Sequence, residues 1–327
     1  MSTLVTGATG FIGANVVRAL LDAGQTVRAL IRPTSMTRNL HKLPIEWVYG
    51  DLLDAPSLRT ALDGCHTLYH VAAHYSLWTP QPQTMYAINV DGTTNLLQAA
   101  LDLGLEKVVY TSSVATVGLR PDGQAADETA YLPLPQAIGH YKRSKVLAEQ
   151  RALAFCQQGL PLVVVNPSAP IGPWDLKPTP TGKIILDFLQ RKMPAYLDTG
   201  LNLVDVRDVA QGHLLAAQNG KIGERYILAC RNMTLQEILQ MLAEVSGLPA
   251  PKFRIPYGVA LSAAYISAGL ARLTGRPPRI PLSGVRMARH PMYFSPHKAV
   301  RELGLPQSPI ATAMQAAVQW YRDNQYI

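Results

Sequence analysis

Apolar residues along this chain fall in short, nearly continuous runs separated by longer stretches at helical spacing. Thr3–Thr6, Thr26–Ile31, Ile45–Tyr49, Thr67–Val71, Lys107–Thr111 and Leu162–Val165 are rich in β-branched and aromatic residues and lack the alternation of a half-exposed strand. Between them, Ile12–Ala23 reads as a helix that Gly24 stops, and Ala87–Leu103 as a helix with Leu96, Leu97 and Ala100 on one face. Buried strands alternating with helices predict an α/β fold, a parallel sheet doubly wound by helices on both faces. The rhythm breaks at Pro167, Pro170, Pro173, Pro178 and Pro180, which mark a long loop lining a site. Asn202–Val209 is expected to return to the sheet. Thr234, with Glu237 three residues on, caps a helix that runs to Ser246. The expected organisation is a ligand-binding domain over 1–167, with 203–229 returning to it. A smaller C-terminal substrate domain takes 168–202 and 230–327.

The turn after the first strand carries the first chemistry. Thr6-Gly7-Ala8-Thr9-Gly10-Phe11-Ile12-Gly13 lies between a strand and a helix, with its glycines three apart. Gly7 suits a sharp turn, Gly10 lets backbone approach a pyrophosphate, and Gly13 allows close helix packing, as in a Rossmann dinucleotide site. The helix N-terminus adds free N–H groups and partial positive charge. NAD sites commonly place an acid after the second strand to hold the ribose. Here that strand ends Ile31-Arg32-Pro33-Thr34-Ser35. Arg32 would fork onto a 2′-phosphate, with Arg38 or Lys42 adding charge, so NADP(H) is favoured over NAD(H).

Thr111-Ser112-Ser113 closes the fifth strand, at the sheet edge where such folds hold ligands. Tyr141 and Lys145 follow, four apart and hence on one helix face. A lysine ammonium beside a tyrosine favours the phenolate and makes the pair a usable acid/base. Ser113 would bond the substrate oxygen. The expected reaction is hydride transfer at a carbonyl or secondary alcohol.

These stretches resemble the extended short-chain dehydrogenase/reductase superfamily over nearly the whole chain. The resemblance rests on the glycine turn, Gly50-Asp51-Leu52, His70-Val71-Ala72-Ala73, Asn89-Val90-Asp91-Gly92-Thr93-Thr94-Asn95 and Tyr141-Lys142-Arg143-Ser144-Lys145. It implies that Asp51 and Leu52 flank the adenine and that Ala72 and Ala73 line the cofactor cleft. It further implies that Pro167 and the backbone at Ser168 meet the nicotinamide, and that Ser113, Tyr141 and Lys145 form the catalytic group. Ser112 adjoins the serine position, where the family pattern favours Ser113. A closer likeness is to the hopanoid-associated sugar epimerase group, itself similar to dihydroflavonol reductases. It is carried by Tyr110–Gly118, Ile138–Glu149, Asn166–Pro173, Lys177–Ile185, Met193–Asn202 and Gly284–Arg289. That likeness implies a small polyol- or sugar-like substrate, and either a reductase or an epimerase/dehydratase that retains its cofactor. A non-catalytic dinucleotide sensor of this fold typically lacks the Tyr–Lys pair, which is present here.

Composition changes the picture only at its edges. With 48% hydrophobic and 16% charged residues the 327-residue chain has enough apolar content for a packed core. The net charge is +8, but the basic residues are scattered without a run of five or six, which argues against nucleic acid. Cys65, Cys156 and Cys230 are odd in number and far apart, so neither a disulfide framework nor a metal site is expected. The first residues run straight into a strand pattern. A cytoplasmic enzyme, monomeric or homodimeric, is expected. Candidate substrate contacts are His74, Tyr75 and Trp78 after the fourth strand, Asn89 on the following helix, and Trp174, Lys177 and Tyr196 in or after the proline-rich loop. His213 reads as an ordinary helix residue. Tyr257–Leu270, with Arg272, Arg276 and Arg279 behind it, is an apolar stretch beside basic charge. It suits weak contact with a membrane surface, or else packing within the domain.

Overall fold

The computed structural model describes residues 2–274, 277–278 and 280–327, with the Arg272 side chain left out. Arg276 and Arg279 therefore lie outside the described residues. Strands β1 (Ser2–Thr6), β2 (Thr26–Ile31), β3 (Glu46–Tyr49), β4 (Cys65–His70), β5 (Lys107–Thr111) and β6 (Leu162–Pro167) belong to one sheet. Three short strands follow, β7 (Ala169–Ile171), β8 (Ala195–Leu197) and β9 (Gly200–Asp205), and then β10 (Arg225–Leu228) completes the first sheet. Its order is β10-β6-β5-β4-β1-β2-β3, and every neighbouring pair is parallel. The order reverses between β1 and β4, which opens a crevice at the carboxyl ends of those strands.

Helices cover both faces, as near-continuous apolar strands require. One face carries α1 (Phe11–Asp22). The other carries α2 (Ala55–Leu62), the short α3 (Pro82–Tyr86), α4 (Gly92–Asp102) and α5 (Gly139–Gln157). Beyond them come α6 (Pro180–Leu189) and α7 (Val206–Asn219), the latter packed on α1. Each face has its own core. Val5, Val17, Leu20 and Leu214 pack in one, and Leu4, Leu58, Leu96 and Phe155 in the other.

Two expectations change here. Ala87–Leu103 is not one regular helix: Ala87–Asp91 forms a π-helical turn that feeds α4. The segment Asn202–Val209 does not rejoin the main sheet. Gly200–Asp205 is the middle strand of a separate sheet, β9, and Asp205 then caps α7 by accepting a bond from Arg207 N–H. The return to the parallel sheet is made by β10. An apolar strand pattern does not say which sheet takes the strand.

The smaller part adds β11 (Arg231–Thr234), α8 (Leu235–Ser246), β12 (Phe253–Ile255), α9 (Tyr257–Thr274) and α10 (Leu282–Met287). The chain then returns to the larger part with α11 (His297–Leu303), which packs on α7 and β10 and puts Ala299 and Leu303 in the core with Val5 and Leu20. It ends in α12 (Ile310–Asp323) against α8. β11, β9 and β7 form a three-stranded sheet, and β12 pairs in parallel with β8. Helix α8 starts with the full Thr234/Glu237 capping box. His213 is buried in α7 between Thr111 and the Val209 carbonyl. The three cysteines are free thiols.

Candidate active site

The turn from β1 into α1 is too tight for anything but glycine at two positions. Gly7 has φ near 66°, and a Cβ there would stand 2.6 Å from the Ala72 nitrogen. A Cβ on Gly13 would stand 2.1 Å from the Gly7 carbonyl oxygen. The packing at these two positions brings the first turn of α1 against the ends of β1 and β4. Gly10 caps α1 without a side chain, so the leading N–H groups at Phe11, Ile12 and Gly13 open on a cavity. Thr6 Oγ1 accepts from Ala72 N–H at 3.2 Å and lies 2.8 Å from His70 Nδ1, while His70 Nε2 lies 2.9 Å from Thr93 Oγ1. Burial holds His70 down to about 3, so it is a neutral clamp between β1 and α4.

The cavity measures about 1010 Å³ and runs from this turn over the ends of β2 to β6 into the smaller domain. Thr6, Gly7, Thr9, Gly10, Phe11, Ile12 and Gly13 line one end together with Arg32, Ser35, Asp51, Leu52, Ala72 and Ala73. The exposed Arg32 guanidinium has no protein partner among the described contacts. Arg38 is turned instead onto Asn324 Oδ1 at 2.9 Å, and Lys42 is not part of the wall, so neither adds charge at the cavity.

Ser112, Ser113, Tyr141, Lys145, Pro167 and Ser168 meet at the middle of the cavity. The Tyr141 and Ser113 hydroxyls share a hydrogen bond, and burial nevertheless pushes Tyr141 up to about 12. Lys145 is buried. Its Nζ donates to the Thr111 carbonyl at 2.9 Å and to Tyr110 Oη at 3.2 Å, and burial brings it down to about 8. The sequence pointed to an ammonium favouring the Tyr141 phenolate. The ammonium is spent on Tyr110 and Thr111, and desolvation keeps Tyr141 protonated. Behind Lys145, Glu149 forms a buried ion pair with Arg225 at 3.1 Å and accepts from Thr116 and Asn166. The glycine cradle, the open helix N-terminus and the buried, unpartnered Ser112 Oγ fit a dinucleotide.

The expected substrate residues divide. His74, Tyr75 and Tyr196 line the cavity, and the Tyr75 ring lies over Tyr141 with centroids 4.3 Å apart. Trp78, Asn89, Trp174 and Lys177 do not reach it. Asn89 is a clasp: it accepts from His74 N–H at 2.6 Å, donates to the His74 carbonyl, and donates to Ser144 Oγ at 2.9 Å. It therefore fixes the loop bearing Tyr75 against α5 rather than meeting a substrate. Trp174 is turned to α1, where the Arg18 guanidinium lies 3.6 Å from its ring centroid. Lys177 is an exposed loop residue, and Trp78 leaves the wall to its neighbour Leu77.

The rest of the substrate end is built from residues that carry no motif. Ile184, Met193, Leu197, Ile255, Val259, Ala263, Val285 and Met287 line it, with Thr199 and Asn202 among the few polar groups. Helical and strand spacing would mark these residues as core, and only the packing of α9 and α10 over β8 turns them inward to the cavity. Among the described residues no cluster of His, Cys, Asp or Glu could hold a metal ion, and no helix is long and apolar enough to cross a membrane.

The profile of the NAD dependent epimerase/dehydratase family matches residues 3–229. A Synechocystis sp. protein described as a candidate dihydroflavonol 4-reductase is 53% identical, over 99% of this chain and 95% of its own. Sterol demethylase protein B of Methylococcus capsulatus is 38% identical, over 99% of both chains. Among solved structures, that of gox2253 is 46% identical with a TM-score of 0.90, covering 100% of this chain and 99% of its own.

Proposed function

The chain belongs to the NAD-dependent epimerase/dehydratase family, and from that premise we propose that it reduces a carbonyl group on a large apolar molecule with NADPH. Its standing as an NAD(P)-dependent enzyme comes with the family. The direction and the substrate class are the reading offered here. One observation carries it: Tyr141, protonated well above neutral pH, opens on a chamber walled by aliphatic and aromatic side chains. The polyol- or sugar-like substrate expected from the sequence would turn its hydroxyls onto methyl groups, at a cost of about 1–3 kcal/mol for each left unbonded. A hydrocarbon-rich carbonyl compound meets no such penalty.

When bound, the dinucleotide supplies the hydride. The chain's own residues do the rest. Tyr141 Oη gives its proton to the carbonyl oxygen as charge builds there, and Ser113 Oγ donates a bond to the same oxygen. Lys145, beneath, keeps positive charge near the phenolate that results. Arg32, which has no side-chain partner among the described residues, supports NADPH over NADH.

The test follows NADPH and product together on a panel of aldehydes and ketones of increasing hydrocarbon size. The expected result is one NADPH consumed per alcohol formed, with kcat/KM rising with apolar size. NADH should serve poorly, and Arg32→Asp should reverse that order. Product formed on a tightly retained cofactor, with no net NADPH consumed, would replace the reductase with an epimerase.

A further inference from the structure

The sequence from Glu244 to Glu302 contains no other acidic residue and nine lysines and arginines, of which Arg254, Lys298 and Arg301 are paired with Asp198, Glu224 and Glu302. Helix α9 runs through the middle of this stretch. Its inner side packs through Ala260, Ala264 and Ala271, all buried. Its outer side carries Val259, Ile266, Leu270 and Leu273, which are 60, 67, 57 and 85% exposed. Spaced seven, four and three residues apart, these four fall on one narrow arc of the helix. Phe253, in the strand that leads into α9, is 74% exposed.

Basic side chains flank the stripe. Exposed Arg286 donates to Tyr265 Oη on α9 at 2.8 Å, and Arg289 is exposed just after α10. The stripe also continues inward. Ala263, Ile266 and Leu270 form an apolar groove with Pro277, Pro278 and Ile280, and Ala263 and Ile280 also wall the active-site cavity. One apolar surface thus runs from the reacting centre to the outside.

We propose that this face docks on an anionic lipid bilayer, with α9 lying in the interface plane and the cavity mouth against the lipid. An aliphatic arc on a helix that itself carries no acidic residue, with Arg286 and Arg289 beside it, is the pattern of an interfacial helix. No described helix is suited to crossing the membrane. A second copy of the chain fits less well, because a symmetric contact would press one predominantly basic face against another.

Flotation with vesicles tests this without any turnover, and so independently of the reductase reading. The protein should float with phosphatidylcholine vesicles containing phosphatidylglycerol, float weakly with phosphatidylcholine alone, and be released by salt. The double variant Ile266→Ser/Leu270→Ser should partition about tenfold less or lower, since two aliphatic side chains no longer enter the interface. Its circular dichroism and NADPH affinity should stay as in the wild type. Absence from the floated fraction, or undiminished flotation of the double variant, overturns the proposal. So does a solution dimer that the double variant dissociates, which would make a second copy the occupant.

Discussion

Tyr141 and Lys145 are both buried, yet burial acts on them in opposite directions. It keeps the phenol neutral and weakens the ammonium, at about 12 and about 8. A group that must deliver a proton is therefore charged with one across the neutral range. Its cationic neighbour is lost as pH rises through about 8, because a lowered lysine is cationic only below its own pKa. Carbonyl reduction is accordingly expected to be level below that pH and to fall above it. Tyr141→Phe should cut kcat by about 10²–10⁴-fold throughout and leave NADPH binding intact. A kcat/KM profile still level at pH 10, or near-normal turnover by the phenylalanine variant, would refute this. The helical spacing of the pair was legible in the sequence, but its environment was not. Tyr110 and Thr111 lie 35 and 34 residues upstream and reach Lys145 only because the end of β5 meets α5. The same holds for Arg38, whose partner Asn324 stands at the far end of the chain.

Strands whose apolar runs are buried on both faces were the easiest elements to place. β2 and β5 fall on the residues expected, and α8 begins at its capping box. The π-helical turn at Ala87–Asp91 was hidden, since its residues read as ordinary helix. It lies between α3 and α4, and it carries Asn89 to both His74 and Ser144. The glycine turn was legible as a motif, and the structure adds the reason it tolerates nothing larger. Gly13→Ala would drive a methyl group into the Gly7 carbonyl, only 2.1 Å from where Cβ must stand. The first turn of α1 would have to back away from β1. NADPH affinity should then fall by about tenfold or more, as measured by calorimetric titration. Wild-type affinity would mean that α1 has room to move.

At the scale of the whole molecule, Glu149 and Arg225 tie α5 to β10 through a pair of side chains only 4 and 2% exposed. Removing one partner leaves the other charged and dry. Glu149→Leu should lower unfolding stability in urea by about 3–5 kcal/mol, and adding Arg225→Met should restore much of the loss. A double variant as unstable as the single one would show that the wider network with Thr116 and Asn166 matters more than the pair. The alternation of strands and helices announced the parallel sheet. The cavity's outer wall could not be foreseen, because it is assembled from segments far apart in sequence, joined by the pairing of β8 with β12 and by the packing of α9 and α10 on Leu197. That pairing has a consequence for how such a protein changes over generations. Ser113, Tyr141 and Lys145 all precede Pro170, whereas Ile255, Val259, Ala263, Val285 and Met287 belong to a late stretch of the chain. Substitutions accumulating between 253 and 288 can reshape what is admitted while leaving untouched how it is reduced. A lineage can thus recruit one inherited hydride-transfer site to new molecules by redrafting a single stretch of sequence.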